Sequence, residues 1–194
     1  VACARACREI GYPVVIKVVS PQIVHKSEYG GVSLGICNET AAVMAFDTIR
    51  KATEGRDFRG VVVYPMLRGG CEVLVGMTRD PQFGPVVAFG VGGIHTEILR
   101  DISLRVAPVG RAEAEAMIHQ IRSFAILAGA RGRPPCDLSA LADTLVTVSR
   151  LPFLYPEIAE IDLNPVFVFE KGLLVGDVRV IGLDHPKQAP GETS

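Results

Sequence analysis

Pro13-Val14-Val15-Ile16-Lys17-Val18-Val19, followed by His25-Lys26-Ser27-Glu28-Tyr29-Gly30-Gly31-Val32, places one lysine inside an apolar β-branched run and a double glycine just beyond it. Such a run reads as a buried strand. A lysine there loses water, and a buried ammonium is tolerated only with a partner. An anion arriving from outside would be such a partner. The double glycine lets backbone N–H groups approach phosphate oxygens. A strand lysine with a glycine loop behind it therefore suggests a nucleoside triphosphate site.

Outward from this stretch the pattern alternates helix and strand. Ala2 to Ile10 reads as a helix stopped by Gly11, and because the first residue is Val the chain looks like a fragment with more sequence before it. Val14 to Val19 is a strand and Val32 to Cys37 a returning one. Thr40 to Ala52 is a helix with Asn38 as its cap. Gly60 to Tyr64 is predicted to be a second buried strand. Pro65 to Gly70 is a turn-rich connector. Glu72 to Thr78 and Pro85 to Phe89 read as antiparallel strands joined by Arg79-Asp80-Pro81-Gln82-Phe83-Gly84. Helices follow near Arg111 to Ala128 and Leu138 to Leu151. Strands return around Ile158 to Ile161, Pro165 to Phe169 and Leu173 to Ile181. The organisation expected is an N-terminal lobe over 1–64, a C-terminal lobe over 65–183 and a loose tail over 184–194.

The totals set limits on function. The chain has 194 residues, 48% hydrophobic and 21% charged, enough to bury a real core. Net charge is −1 and Trp is absent, which argues against a nucleic-acid partner. No run is long and apolar enough to span a bilayer and no signal peptide is visible, so a cytoplasmic location and no membrane partner are expected. The 5 cysteines form no C-x-x-C pair and read as reduced thiols. Cys3 and Cys7 lie one helical turn apart but lack a third ligand nearby.

Near the end stand Glu160-Ile161-Asp162-Leu163-Asn164-Pro165 and Gly176-Asp177-Val178-Arg179. Asp162 and Asn164, two apart, share a face if they lie on a strand. A hairpin would bring Asp177 beside Asn164. Oxygen ligands of this kind suit Mg²⁺, which keeps waters and leans on substrate phosphates. Arg179, on the same face as Asp177, suits charge stabilisation on a moving phosphoryl group. The competing reading makes Asn-Pro a turn and Asp177–Arg179 a surface pair. Gly90-Val91-Gly92-Gly93 lacks the strand–turn–helix setting of a dinucleotide fingerprint, and there is no P-loop motif.

Five segments, in order, make the chain resemble the ATP-grasp domain of the NDP-forming acyl-CoA synthetases, relatives of the succinyl-CoA synthetase β subunit. They are Gly11 to Lys17 with Ser20-Pro21; His25 to Val32; Gly92-Gly93-Ile94-His95-Thr96-Glu97 with Asp101 to Pro108; Gly129 to Pro135; and Glu160 to Pro165. The likeness runs from Gly11 to about Ile181. It implies an α+β ATP-grasp fold of two lobes with a nucleotide cleft between them. It implies that Lys17 contacts ATP phosphates, that Gly30 and Gly31 form the phosphate loop, that Tyr64, Met66 and Leu67 form the adenine hinge, and that Glu72 holds the ribose. Asn164 and Asp177 match Mg²⁺ ligands. Asp162 stands where succinyl relatives carry a glutamate near the phosphohistidine. Glu97 is expected to hold the partner's phosphohistidine, and Arg105 to be structural or phosphate-steering.

His25 alone reads as a surface loop residue; the resemblance gives it the role of receiving and relaying a phosphoryl group. A neutral imidazole is a good nucleophile near pH 7. The implied reaction is acyl-CoA + ADP + phosphate giving acid + CoA + ATP. Its cofactors are ATP/ADP and Mg²⁺, and its partner is a CoA-binding domain or α subunit. An oligomer is compatible. Two rivals are a ligand-sensing ATP-grasp-like domain of a protein-lysine acetyltransferase, and a carboxylate–amine ligase of the same fold, which has no need of His25.

Overall fold

The structure, a computed structural model, describes residues 2–23, 26–67, 69–92, 101–132 and 134–183. The chain divides into two compact units, one ending at residue 68 and one beginning at Gly69. Three of the expectations, His25, Glu97 and the tail from Asp184, lie outside the described residues.

The first unit holds α1 (Ala2–Ile10), β1 (Val14–Val19), β2 (Val32–Ile36), α2 (Glu39–Ala52) and β3 (Gly60–Pro65). The three strands form an antiparallel sheet in the order β2-β1-β3. The Asn38 side chain accepts from the Ala41 amide at 2.9 Å and starts α2. Val14, Ile16 and Val18 pack with Cys7, Ala42, Ala45 and Ile49 of the helices into a closed core. The helices cover one face of this sheet only. That overturns the expectation of a buried β3: Val62 and Tyr64 on its other face are exposed.

The second unit holds β4 (Cys71–Asp80), β5 (Gly84–Val91), β6 (Ile102–Val106), α3 (Arg111–Gln120), the short α4 (Phe124–Leu127), α5 (Leu138–Leu154), β7 (Ile158–Val168), β8 (Leu173–Val175) and β9 (Val178–Gly182). Its antiparallel sheet runs β6-β5-β4-β7-β8, with β9 also paired to β7. Val73, Val75, Met77, Val87, Phe89, Ile161, Leu163 and Val166 point to one face. There they meet Met117 and Ile118 of α3 and Leu141 and Leu145 of α5. Asp137 opens α5, accepting from the Ala140 amide at 3.0 Å, and its other oxygen takes the Gly172 amide at 2.8 Å, so one carboxylate pins the helix start to the β7–β8 turn. These bonds, first to Ala140 and then to Gly172, hold its pKa below the usual carboxylate range.

Three expectations change here. The helix drawn from Arg111 to Ala128 breaks after Gln120, because the Asp101 carboxylate takes the amides of Arg122 and Ser123 at 2.8 and 2.7 Å. Partial burial pushes the Asp101 pKa up, but the bonds from Ser123 and Arg122 outweigh it and leave it lowered. β6 is a strand the sequence did not announce. The residues around Asn164-Pro165 form no turn: β7 continues through them.

The far end of α5 is held by one side chain. Arg79 donates from Nε to the Ile158 carbonyl at 2.7 Å and from Nη2 to those of Pro152 at 2.7 Å and Pro156 at 3.0 Å. Pro152 lies within the helix and Pro156 just beyond it, where carbonyls lack helical donors. Arg79→Ala leaves three carbonyls without their cationic donor. It is expected to destabilise the unit by about 2–3 kcal/mol, since bonds to charged groups contribute about 1.5–3 kcal/mol. A thermal melt within about 1 °C of the parent would contradict this.

Candidate functional site

In the first unit, Lys17 points away from the core formed by its neighbours Val14, Ile16 and Val18 and is half-buried rather than buried. Its cross-strand partners are Val32 on β2 and Val62 on β3. Its Nζ stands 5.5 Å from the centroid of the Tyr64 ring, a cation–π contact that keeps the ammonium over the exposed face. The Met66 amide donates to the Pro13 carbonyl at 2.9 Å, and its thioether accepts from the Gly35 amide at 3.1 Å. The connector is thus tied to both β1 and β2. Leu67 is half-buried beside it.

The double glycine behaves differently from the expectation of free amides. Gly30 N–H donates to the Ser27 carbonyl at 3.2 Å and Gly31 N–H to the Lys26 carbonyl at 2.7 Å, both inside the loop. What the loop needs from Gly31 is close approach. A Cβ there would lie 2.5 Å from Val18 Cγ1 and 2.9 Å from the Lys26 carbonyl oxygen. Gly30 instead adopts φ +64°, a conformation that favours glycine.

In the second unit, β7 slips by one residue against β4 between the pairs Val75↔Leu163 and Val73↔Val166. The extra residue falls at Asn164-Pro165, and Asn164 is exposed. On the other edge, β8 and β9 pair with β7 on either side of this point, through Val166↔Val175 and Leu163↔Val178. Asn164 and Pro165 therefore face Asp177 and Gly176. The Asn164 amide donates to the Asp177 carbonyl at 3.3 Å and the Gly176 amide to the Pro165 carbonyl at 2.7 Å. The structure thus brings Asn164 and Asp177 together, and an Asp177 carboxylate oxygen takes the Val178 amide at 3.1 Å.

Arg179 sits opposite Asp162 in the ladder. Its guanidinium pairs with Glu160 and lies 3.8 Å from Asp162, while its Nε is buried with no hydrogen-bond partner among the described residues. The cation assigned to a moving phosphoryl group is thus already flanked by two carboxylates. Its charge is balanced before any phosphate arrives. Glu160 is the functional neighbour that sequence reasoning passed over, and the signal was there: Glu160, Asp162 and Asn164 share one parity on a single strand. Glu72 is exposed on β4, with Phe167 as its cross-strand partner. Arg105 is turned the other way: its Nη2 donates to Gln120 Oε1 at 2.8 Å at the end of α3, which makes it structural here. His119 lies over the Phe124 ring, with centroids 4.4 Å apart.

A side-chain amide oxygen and a carboxylate on neighbouring residues are hard donors, which suit Mg²⁺ or Ca²⁺ better than a softer metal. No group of three His, Cys, Asp or Glu side chains capable of holding a metal occurs among the described residues. A magnesium ion held here would take its remaining oxygens from phosphate and water, as this ion does in nucleotide sites. Asn164 and Asp177 fit that requirement. Burial, reinforced by Cys3, pushes the Cys7 thiol up to about 11. No helix among the described residues is long and apolar enough to cross a membrane.

Residues 2–181 match the model of the ATP-grasp domain. The chain is 52% identical over 177 residues to the β subunit of the ADP-forming acetate–CoA ligase I of Pyrococcus furiosus, an overlap of 89% of this chain and 76% of that one. It is 49% identical over 176 residues to the ADP-forming acetate–CoA ligase I of Archaeoglobus fulgidus, covering 89% of this chain but only 26% of that longer one. Among solved structures, the dinucleotide-forming acetyl-coenzyme A synthetase 1 of Candidatus Korarchaeum cryptofilum, in complex with coenzyme A, Ca-AMPCP and HgCl⁺, superposes with a TM-score of 0.88 at 41% identity, over 94% of this chain and 81% of that one. The same synthetase with coenzyme A and Mg-AMPPCP, its phosphohistidine segment pointing towards the nucleotide binding site, gives a TM-score of 0.80 at 41% identity, over 93% of this chain and 81% of that one.

Proposed function

The chain belongs to the ATP-grasp family, and from that membership we propose that it is the nucleotide-binding, phosphoryl-transferring part of an ADP-forming acyl-CoA synthetase. The reaction it serves is acyl-CoA + ADP + phosphate giving acid + CoA + ATP. The observation that carries this reading is the main-chain hydrogen bond that sets Asn164 of β7 beside Asp177, between β8 and β9. Together they present two oxygen donors of the kind a magnesium nucleotide requires. Relatives of up to 52% identity that are ADP-forming acetate–CoA ligases support the reaction class.

The roles divide between the units. The N-terminal grasp unit contributes Lys17, whose ammonium binds phosphate oxygens, and Tyr64, Met66 and Leu67, which line the base. Gly30 and Gly31 shape the phosphate loop by letting it lie close to β1 rather than by donating their own amides. His25 accepts the phosphoryl group. The C-terminal grasp unit contributes Glu72 to the ribose hydroxyls and Asn164 and Asp177 to the metal. When bound, Mg²⁺ neutralises charge on the phosphate oxygens. Glu160 and Asp162 orient Arg179, so the guanidinium reaches phosphate only along the direction they leave open. Glu97 and Asp162 steady an imidazole brought by the partner. That partner is a CoA-binding domain, on the same chain or on a separate subunit; the Pyrococcus relative is itself a β subunit, and the matched region is 26% of the Archaeoglobus ligase.

Calorimetric titration with Mg-ADP tests the assignment. Lys17→Ala is expected to raise Kd at least about tenfold, equivalent to about 1.4 kcal/mol. An unchanged Kd in a variant that melts like the parent would remove Lys17 from the nucleotide site.

A further inference from the structure

Gly176 is required for space and not for conformation. Its φ lies outside the left-handed region, unlike that of Gly172 at +74° in the preceding turn. A Cβ on Gly176 would stand 2.7 Å from Phe167 Cε2, 3.0 Å from the Pro165 carbonyl oxygen and 3.2 Å from Pro165 Cγ. The first is closer than side-chain carbons approach such atoms, and the other two are tighter than nearly all such contacts. The same Pro165 carbonyl receives the Gly176 amide at 2.7 Å. The bare Cα thus lets the Phe167 ring and the Pro165 carbonyl close onto the main chain one residue before Asp177. This closure keeps β8 and β9 in one register along β7 across the irregularity at Asn164-Pro165.

We propose that Gly176 is the positioning residue of the metal-binding pair. It allows the ladder to continue past the extra residue in β7, so that Asp177 arrives opposite Asn164. A methyl group at 176 must push either the aromatic ring or the Pro165 carbonyl outward. Either movement weakens the Gly176–Pro165 bond and draws Asp177 away from Asn164. Phe167 is the counterpart: shortening it vacates the space a Cβ needs. The inference rests on reading Asn164 and Asp177 as metal ligands.

The test measures how much Mn²⁺, followed by its EPR signal, raises the affinity of the chain for ADP over the metal-free value. Gly176→Ala is expected to lose about tenfold of this enhancement, in line with the effect of disturbing groups that orient metal ligands. Metal-free ADP affinity should stay within about twofold. Adding Phe167→Leu to Gly176→Ala is expected to restore most of the enhancement. A folded Gly176→Ala chain with parental enhancement overturns the proposal, and so does a double variant as impaired as the single one. If Gly176→Ala is too unstable to assay, a double variant that recovers both folding and enhancement supports the proposal, and one that folds but stays impaired overturns it. Asp177→Asn separates this from the underlying assignment. If that variant keeps the full enhancement, the ligand reading itself has failed, whatever Gly176→Ala does.

Discussion

A chain carrying His25→Ala is expected to take up no acid-labile, base-stable phosphate from labelled Mg-ATP, while the parent chain takes it up. The chemistry fixes the signature. An imidazole nitrogen attacks the γ-phosphorus, an N–P bond forms, the P–O bond to the β-phosphate breaks, and ADP leaves. The resulting phosphoramidate hydrolyses in acid and survives base; a serine ester behaves oppositely, and an acyl phosphate is lost in both. The effect is all-or-none because the proposed reading asks no other group of this chain to form that bond. Label that persists in His25→Ala would move the acceptor elsewhere. A parent chain that binds Mg-ATP but never acquires label would instead favour the ligand-sensing role.

Replacing both Asn164 and Asp177 by alanine should produce the second large effect. Loss of both protein oxygens is expected to weaken Mg-ADP binding on the order of 10- to 100-fold, the range seen when metal sites lose supporting groups. Binding of ADP in excess chelator should change little. The contrast matters, because a general collapse of the second unit would lower both affinities together. Equal losses with and without metal would sink the ligand assignment.

Much of this architecture was legible in the sequence, for local reasons. β1 carries a β-branched run, α2 has Asn38 as its cap, and the β4–β5 hairpin has Asp80, Pro81 and Gly84 at its turn. The failures come from contacts distant in sequence. Asp101 breaks a helix more than twenty residues on by taking two of its amides, and no local propensity announces that. β6 inverts the usual alternation. Ile102, Leu104 and Val106 are 43%, 57% and 54% exposed, while Ser103 is buried and Arg105 is tied to the end of α3. A reader expecting apolar residues inside would set the wrong face inward. Asn164-Pro165 carries turn chemistry, yet the strand runs on because Gly176 and Asp177 supply the matching bonds from across the ladder.

Lys17 shows the same limit. Its position in a strand could be read, but it reads as buried, because the run of valines does not say that only one side of the sheet is covered. Arg179 was read as a cation awaiting a phosphate. Cross-strand register, invisible in one dimension, surrounds it with Glu160 and Asp162.

Because Asn164 on β7 is hydrogen-bonded through the main chain to Asp177, in the two-residue break between β8 and β9, their spacing is settled when the unit folds. On the proposed reading an arriving cation has no segment to order, so capture carries little conformational entropy penalty and its speed is governed by how readily the ion sheds coordinated water.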